Sequence, residues 1–507
     1  MQQKPGVRLI GTGILEKNES GQGRLPFARH GTVIRIFRKE SCMKTQCLVL
    51  LALGCLTLAA CSRKPGPSTA ADFDALALKP PMGWNSWNCF GSDVNEEQVR
   101  ANAGFMAENL KQHGWEYVVV DLGWYLPAEI TIATFKKPRP PQAMDEWGRL
   151  VPDTGKFPSS SRKRGFKPLA DYCHAKGLKF GIHIMRGIPW QAVEQNTAVL
   201  GTEARAADLA EPADTCVWYD GMAGVDAASP EGRAYYASLF HLYADWGVDY
   251  VKMDDTSQPY HAADIEAVHD AIRASGRPMV LSLSPGATPP EQAAHVSAHA
   301  NLWRISPDFW DLWPFLRRQF DLCRAWQPHV KPGHWPDCDM LPLGRLRKTG
   351  PDDWVAGHMG RTPAEITDEP SRFTADEKTT LMTLWCVFRS PLMFGGHLPE
   401  TDSLTLALVM NGEALAVNQD SRNNREVRSE NGLVVWAADL PDSGVAVGLF
   451  NMNGEGPSDV RVTWAELGLS GGGRAVRDIW ARREAGLFKG GFSAKIPAHG
   501  AGFFRIL

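Results

Sequence analysis

The chain has 507 residues, 44% of them hydrophobic and 22% charged, so it is a globular protein long enough for two domains. A formal net charge of -3 gives no electrostatic reason to expect nucleic acid or an acidic partner. Trp (18) and Tyr (9) supply flat faces of the kind that stack on sugars, although Trp is also ordinary core material.

Residues 1–42 are basic and unpatterned and read as a leader upstream of the true start, with Met43 the expected first residue. Met43-Lys44 opens a secretory signal over 43–61: a charged start, an apolar run from Cys47 to Leu58 too short to span a bilayer, then Leu58-Ala59-Ala60-Cys61. That ending resembles a bacterial lipoprotein signal. Cys61 would become the lipidated first residue of an exported protein, periplasmic or attached to the outer membrane through that lipid alone; a soluble secreted form is the alternative. Residues 62–79 are a Pro/Ser/Ala-rich tether.

Apolar strands then alternate with amphipathic helices, the signature of a parallel sheet wrapped by helices. Strands are expected at 82–87, 117–121, 179–184, 249–254, 279–284, 302–306, 335–341 and 391–395, which matches the count and spacing of a (β/α)8 TIM barrel over 80–415. Asn95 caps a helix with Gln98 as reciprocal partner; Val99, Ala103, Met106 and Leu110 follow at helical spacing and Gly114 closes the element. Tyr236, Leu239, Phe240 and Tyr243 form a second core stripe. Segment 185–230 lacks periodicity and is expected to cross the barrel mouth. From 416 to 507, short alternating runs separated by Gly, Pro, Asn and Asp clusters predict an antiparallel β-sandwich.

Past the signal, Cys89, Cys173, Cys216, Cys323, Cys338 and Cys386 are widely spread; export permits disulfides, but no pairing follows from spacing. Neither a Cys-x-x-Cys nor a His-x-x-x-His spacing is read as a metal site, and none is expected.

Polar groups gather at the predicted carboxyl ends of four strands, where barrels of this kind keep their chemistry: Asp121, then Lys252 and Asp254, then Arg304 followed by Asp308 and Asp311, then Asp337 and Asp339. Alternation points Lys252 and Asp254 the same way. A cation beside a carboxylate favours the ionised acid, which suits a nucleophile. Asp308, on an apolar loop between Pro307 and Phe309-Trp310, is placed to stay protonated as an acid unless Arg304 lies close. Two carboxylates with separated roles are the minimum equipment for glycoside hydrolysis, and that chemistry requires no metal or organic cofactor.

Five ordered motifs carry a resemblance: Pro81-Met82-Gly83-Trp84-Asn85-Ser86-Trp87, Val120-Asp121-Leu122-Gly123-Trp124, the run from Trp246 to Asp254, the run from Trp335 to Leu341, and Leu415-Ala416-Val417-Asn418-Gln419-Asp420. Together they resemble glycoside hydrolase family 27, the melibiase-type α-galactosidases, from about Pro80 to the carboxyl end. The resemblance implies a retaining reaction on a glycoside, with Asp254 as nucleophile and Asp308 as acid/base. It further implies that Trp87 stacks on the sugar, that Asp121, Lys252 and Arg304 bind its hydroxyls, and that Asp339 supports them from behind.

Three positions depart from the family pattern. Leu122 stands where a second acid usually reads a ring hydroxyl, His183 where a Tyr usually follows the third strand, and Ser284 where α-galactosidases carry a Glu. His183 is expected to contact substrate from its strand end. Losing a charged hydrogen bond at position 122 is worth roughly 1.5–3 kcal/mol, enough to move specificity between sugars without touching the chemistry. The expected activity is exo-hydrolysis of a terminal α-galactoside. The alternatives are a related activity such as β-L-arabinopyranosidase or isomaltodextranase, or a glycan-binding lipoprotein without catalysis.

Overall fold

The computed structural model describes residues 73–350 and 353–507. The leader, the signal with Cys61 and most of the tether lie outside the described residues.

Eight strands form one sheet: β1 (Met82–Asn85), β2 (Tyr117–Val120), β3 (Lys179–Met185), β4 (Tyr250–Asp254), β5 (Val280–Leu283), β6 (Leu302–Arg304), β7 (Trp335–Asp337) and β8 (Leu392–Phe394). Their order is β7-β6-β5-β4-β3-β2-β1-β8, every pairing parallel. A parallel bridge between Leu341, just past β7, and Phe394 in β8 closes the ring. All eight expected strands are present, and the fold is the expected TIM barrel with a carboxyl-terminal sandwich. Residues 335–341 give only a three-residue strand, because Asp339 turns into the left-handed region at φ 82° and takes the chain out of the ladder.

The principal helices following the strands are α1 (Glu96–Asn109), α2 (Lys167–Ala175), α3 (Pro230–Trp246), α4 (Ala262–Ser275), α5 (Ala293–His299), α6 (Trp313–Trp326), α7 (Ala375–Phe388) and α8 (Gly412–Asp420). The Asn95/Gln98 capping box makes both of its bonds. α1 ends at Asn109, and a short 3-10 turn (Lys111–His113) carries the chain on to Gly114 at φ 93°. Ser229 caps α3, and Gly247, at φ 85°, ends it without a Cβ penalty.

Period-two alternation sorts the barrel interior into layers. Tyr117, Val119, Tyr250, Val280, Leu302 and Trp335 form an apolar cluster. Two and four residues beyond Tyr250, the same face of β4 presents Lys252 and Asp254; Arg304 and Asp337 follow Leu302 and Trp335 in the same phase. Apolar layers therefore seal the barrel beneath a polar layer at its carboxyl end.

Segment 185–230 is an excursion, as expected. It folds as a three-stranded antiparallel sheet (Ile188–Pro189, Met222–Val225, Ala210–Thr215) with two short helices.

The remaining strands are β9 (Arg422–Glu430), β10 (Leu433–Asp439), β11 (Val445–Asn451), β12 (Ser458–Thr463), β13 (Gly473–Asp478), β14 (Arg483–Lys489), β15 (Gly491–Ile496) and β16 (Ala501–Ile506). Six form an antiparallel sheet ordered β9-β10-β11-β16-β13-β14, and β12-β15 form a second. Val447, Leu449, Val462, Trp464, Phe492 and Phe504 fill the space between them. α7 is buried along most of its length where the barrel meets this module, and Thr380 Oγ1 donates to His499 O at 2.6 Å.

Two boundaries differ from those expected. The division at 415/416 falls inside α8, and the sandwich begins at Arg422. The tether ends earlier than 79: Phe73 and Ala77 are buried, Asn301 Nδ2 donates to Phe73 O at 3.1 Å, and Trp335 Nε1 donates to Ala77 O at 2.7 Å. Two apolar contacts and two buried donors outweigh the Pro/Ser/Ala composition there. The six described cysteines are buried thiols.

Candidate active site

Trp87, Asp121, Lys252, Asp254, Arg304 and Asp308 all line one cavity of about 380 Å³ at the carboxyl ends of the strands. Six of the seven expected site residues are thus brought together. A larger cleft, about 520 Å³, opens beside Pro80 and Tyr117 at the amino ends of β1 and β2 and shares none of them.

Asp121 is held by three donors. Oδ2 accepts from Asn85 Nδ2 at 2.6 Å and from Lys252 Nζ at 3.0 Å, and Oδ1 accepts from the Leu122 amide at 2.9 Å. Burial alone would raise its pKa, but Lys252, His183 and these two donors outweigh it and hold the carboxyl at about 2. The same pairing keeps Lys252 charged: burial disfavours the ammonium, and Asp121, Asp254 and Asp339 together shift it upward.

Asp254, 5% exposed, ends β4. Lys252 Nζ stands 3.9 Å from its Oδ1, against 3.0 Å to Asp121. The lysine expected to serve Asp254 first is therefore Asp121's closer partner. Asp254 Oδ1 has no hydrogen-bond partner among the described residues, which leaves a lone pair for an incoming carbon.

His183 Nε2 approaches Asp254 Oδ2 to 2.9 Å, yet neither ring nitrogen has a hydrogen-bond partner there, so the contact lies off the N–H direction. The ring is fully buried and absent from the cavity wall. Register pairs His183 with Lys252 on the inner face, where its ring reaches Asp254 rather than the surface of the cavity.

Asp255, next in sequence, leaves the strand at φ 67° and accepts from Arg186 Nη2 at 2.9 Å. Arg186 also grips Asp214 through two bonds of 2.8 and 3.1 Å, which ties the excursion to the end of β4.

Elsewhere in the cavity lining, Arg304 Nη2 stands 2.8 Å from Asp339 Oδ2 and donates to Asp308 Oδ1 at 3.3 Å. Asp308 is 41% exposed at its side chain, so the apolar enclosure expected of its loop is absent. Asp339 lies behind, as expected, with Oδ2 also accepting from the Phe309 amide at 2.8 Å. Burial, with Arg304 opposing it, pushes Asp339 up to about 7; burial likewise lifts Asp337 to about 6. Asp311 turns away into a buried bidentate pair with Arg347 at 2.9 and 3.2 Å and belongs to the scaffold.

The cavity wall also includes Leu122, Phe135, Lys136, Trp218, Gln258, Met340 and Trp354. Phe135 packs edge-on against Trp87, with ring centroids 6.0 Å apart. Apart from Leu122, these were not singled out from sequence. Trp218 comes from the excursion and Phe135 and Lys136 from the loop after β2, where aperiodic chain gives no side-chain direction.

A cavity lined by two carboxylates, by Lys252 and Arg304 and by an aromatic face carries the groups needed for displacement at a sugar's anomeric carbon. Comparison with known proteins agrees. The family model described as "Alpha galactosidase A" matches residues 79–194 and 214–359, and the "Alpha galactosidase C-terminal beta sandwich domain" matches 430–506. The α-galactosidase of Cyamopsis tetragonoloba is 29% identical over 432 residues, covering 84% of this chain and 85% of that protein. The crystal structure of a family 27 β-L-arabinopyranosidase from Geobacillus stearothermophilus is 45% identical with a TM-score of 0.81, covering 86% of this chain and 97% of that one. A putative α-N-acetylgalactosaminidase from Bacillus halodurans is 42% identical with a TM-score of 0.74, covering 84% and 97%. The chain belongs to glycoside hydrolase family 27, and is a retaining glycosidase of that family.

Proposed function

We propose that the enzyme hydrolyses terminal β-L-arabinopyranosides in preference to α-D-galactosides, by double displacement. Asp254 attacks the anomeric carbon while Asp308 protonates the departing oxygen; Asp308 then takes a proton from the water that releases the sugar, so configuration is retained. Asp121, Lys252 and Arg304 bind ring hydroxyls and Trp87 covers an apolar ring face.

One observation carries the choice of sugar. Leu122 lines the cavity beside Asp121 and is 1% exposed. The two sugars share their ring configuration, but galactose adds a hydroxymethyl group. A buried leucine offers that hydroxyl no partner and takes up room, whereas a pentopyranose loses nothing. The Geobacillus relative, at 45% identity, supports the same reading. The α-galactosidase reading rests on relatives at 29% identity and below. Comparing kcat/KM on the two nitrophenyl glycosides decides between them, and a clear preference for the galactoside overturns ours. Failure to turn over either would instead favour isomaltodextranase chemistry or a glycan binder. Leu122→Asp is expected to shift the ratio of kcat/KM toward the galactoside by roughly 10- to 150-fold, the equivalent of about 1.5–3 kcal/mol. Leu122→Asn asks the same question without adding a charge beside Asp121.

We further infer export and lipid anchoring through Cys61, on the strength of Leu58-Ala59-Ala60-Cys61 behind an apolar run. Palmitate labelling in a bacterial host is expected for the full chain and lost in Cys61→Ser; equal labelling of both proteins rules the anchor out.

A further inference from the structure

We propose a second site, a zinc site on the outer wall of the barrel, held by Glu266, His295 and His299. It is independent of the sugar assignment. Glu266 lies on α4, and His295 and His299 lie four residues apart on α5, so one helix turn presents both rings on one side. One ligand atom from each residue lies within 4.8 Å of the others, and all three residues are half-buried.

His299 Nδ1 stands 2.9 Å from His295 O. A carbonyl only accepts, so a neutral ring carries its proton on Nδ1 and keeps the Nε2 lone pair outward. His295 Nδ1 meets Tyr260 Oη at 2.7 Å, a hydroxyl able to accept a hydrogen bond from Nδ1–H and so leave the Nε2 lone pair free as well. Fixing one ring nitrogen on an outer partner is how metal-binding histidines are oriented.

His295 Nε2 then faces Glu266 Oε1 at 3.2 Å. Two tetrahedral ligands at about 2.1 Å from zinc lie roughly 3.4 Å apart, so this pair already has the required separation. Side-chain rotation brings His299 into range, since its ring stacks 4.4 Å from that of His295. Arg233 approaches Glu266 Oε2 only to 3.8 Å and donates to Asp270 at 2.9 Å, which leaves Oε1 to the cluster. Two imidazoles and one carboxylate suit zinc, with water completing the set.

His295-Val296-Ser297-Ala298-His299 is a His-x-x-x-His spacing after all. Its metal reading requires the third ligand, which arrives from another helix. Tyr260 sits at the end of the loop that follows Asp254 and carries Gln258 into the cavity wall. Bound zinc would therefore fasten the foot of that loop to α5.

The test is calorimetric titration of zinc chloride into the tag-free, chelator-dialysed full chain. We expect about one equivalent bound at micromolar affinity near neutral pH. Binding should weaken at least tenfold in His299→Ala and in Glu266→Gln. Circular dichroism verifies that each variant is folded, and cobalt loading should give visible d–d absorption in the parent only. Absence of binding by the parent, or undiminished binding by both folded variants, overturns the site.

Discussion

Replacing Asp254 by Asn is expected to lower kcat/KM by about 10⁴-fold or more while leaving the fold intact. The amide nearly matches the carboxylate in size, and among the described residues the ion-pair partners of Asp254 are His183, at 2.9 Å, and Lys252, at 3.9 Å. The loss should therefore appear in kcat, with little change in melting temperature. Leaving-group identity should make little difference, because the missing step is formation of the bond to carbon. Asp254→Gly extends the test. It opens room at the foot of the cavity, and added azide should restore turnover of an activated glycoside and give a glycosyl azide of inverted configuration. An azide product of retained configuration, or near-normal activity in Asp254→Asn, removes this residue from the nucleophile's role.

Asp308→Asn should cost about 10²–10⁴-fold, and the cost should depend on the substrate. A nitrophenolate leaves without much protonation, so release of that aglycone should suffer least; an alkyl or sugar leaving group should suffer most. For activated substrates the second step, in which water must be deprotonated, becomes limiting, and a burst of aglycone is expected. Position explains why this carboxyl can exchange protons: it is 41% exposed at the cavity wall, with Arg304 3.3 Å from one oxygen. Asp311, three residues on, is fully buried against Arg347 and cannot stand in for it. Equal effects on good and poor leaving groups would assign Asp308 to substrate binding instead.

The eight strands were legible because they are short and largely buried apolar runs, with polar residues few and gathered mostly toward the carboxyl end. Strand phase made Lys252, Asp254 and Arg304 legible at inward-facing strand ends, whereas Trp87, in a short helix after β1, came only from the family resemblance, and Asp308 lies on the loop after β6. His183 obeys the phase and stands level with Lys252, but its ring is fully buried against Asp254, which strand phase alone does not reveal. Lys252 shares a strand with Asp254 and pairs with it at 3.9 Å, but stands nearer Asp121, just past β2, at 3.0 Å, a cross-strand distance that one strand's alternation does not give. Trp218 and Phe135 were invisible because loops carry no periodicity from which direction can be read, and Trp354 lies in a helix, Asp353–His358, too short to show one. Glu266 with His295 and His299 shows the same limit for sites divided between helices.

The central claim is that Asp254 becomes covalently linked to the sugar during turnover. A fluorinated glycoside that forms the intermediate faster than it breaks down, followed by proteolysis and mass spectrometry, measures this directly. One sugar adduct per chain is expected, confined to the peptide containing Asp254 and absent after Asp254→Asn. An adduct on another carboxylate, or an unmodified enzyme that releases product of inverted configuration, contradicts it.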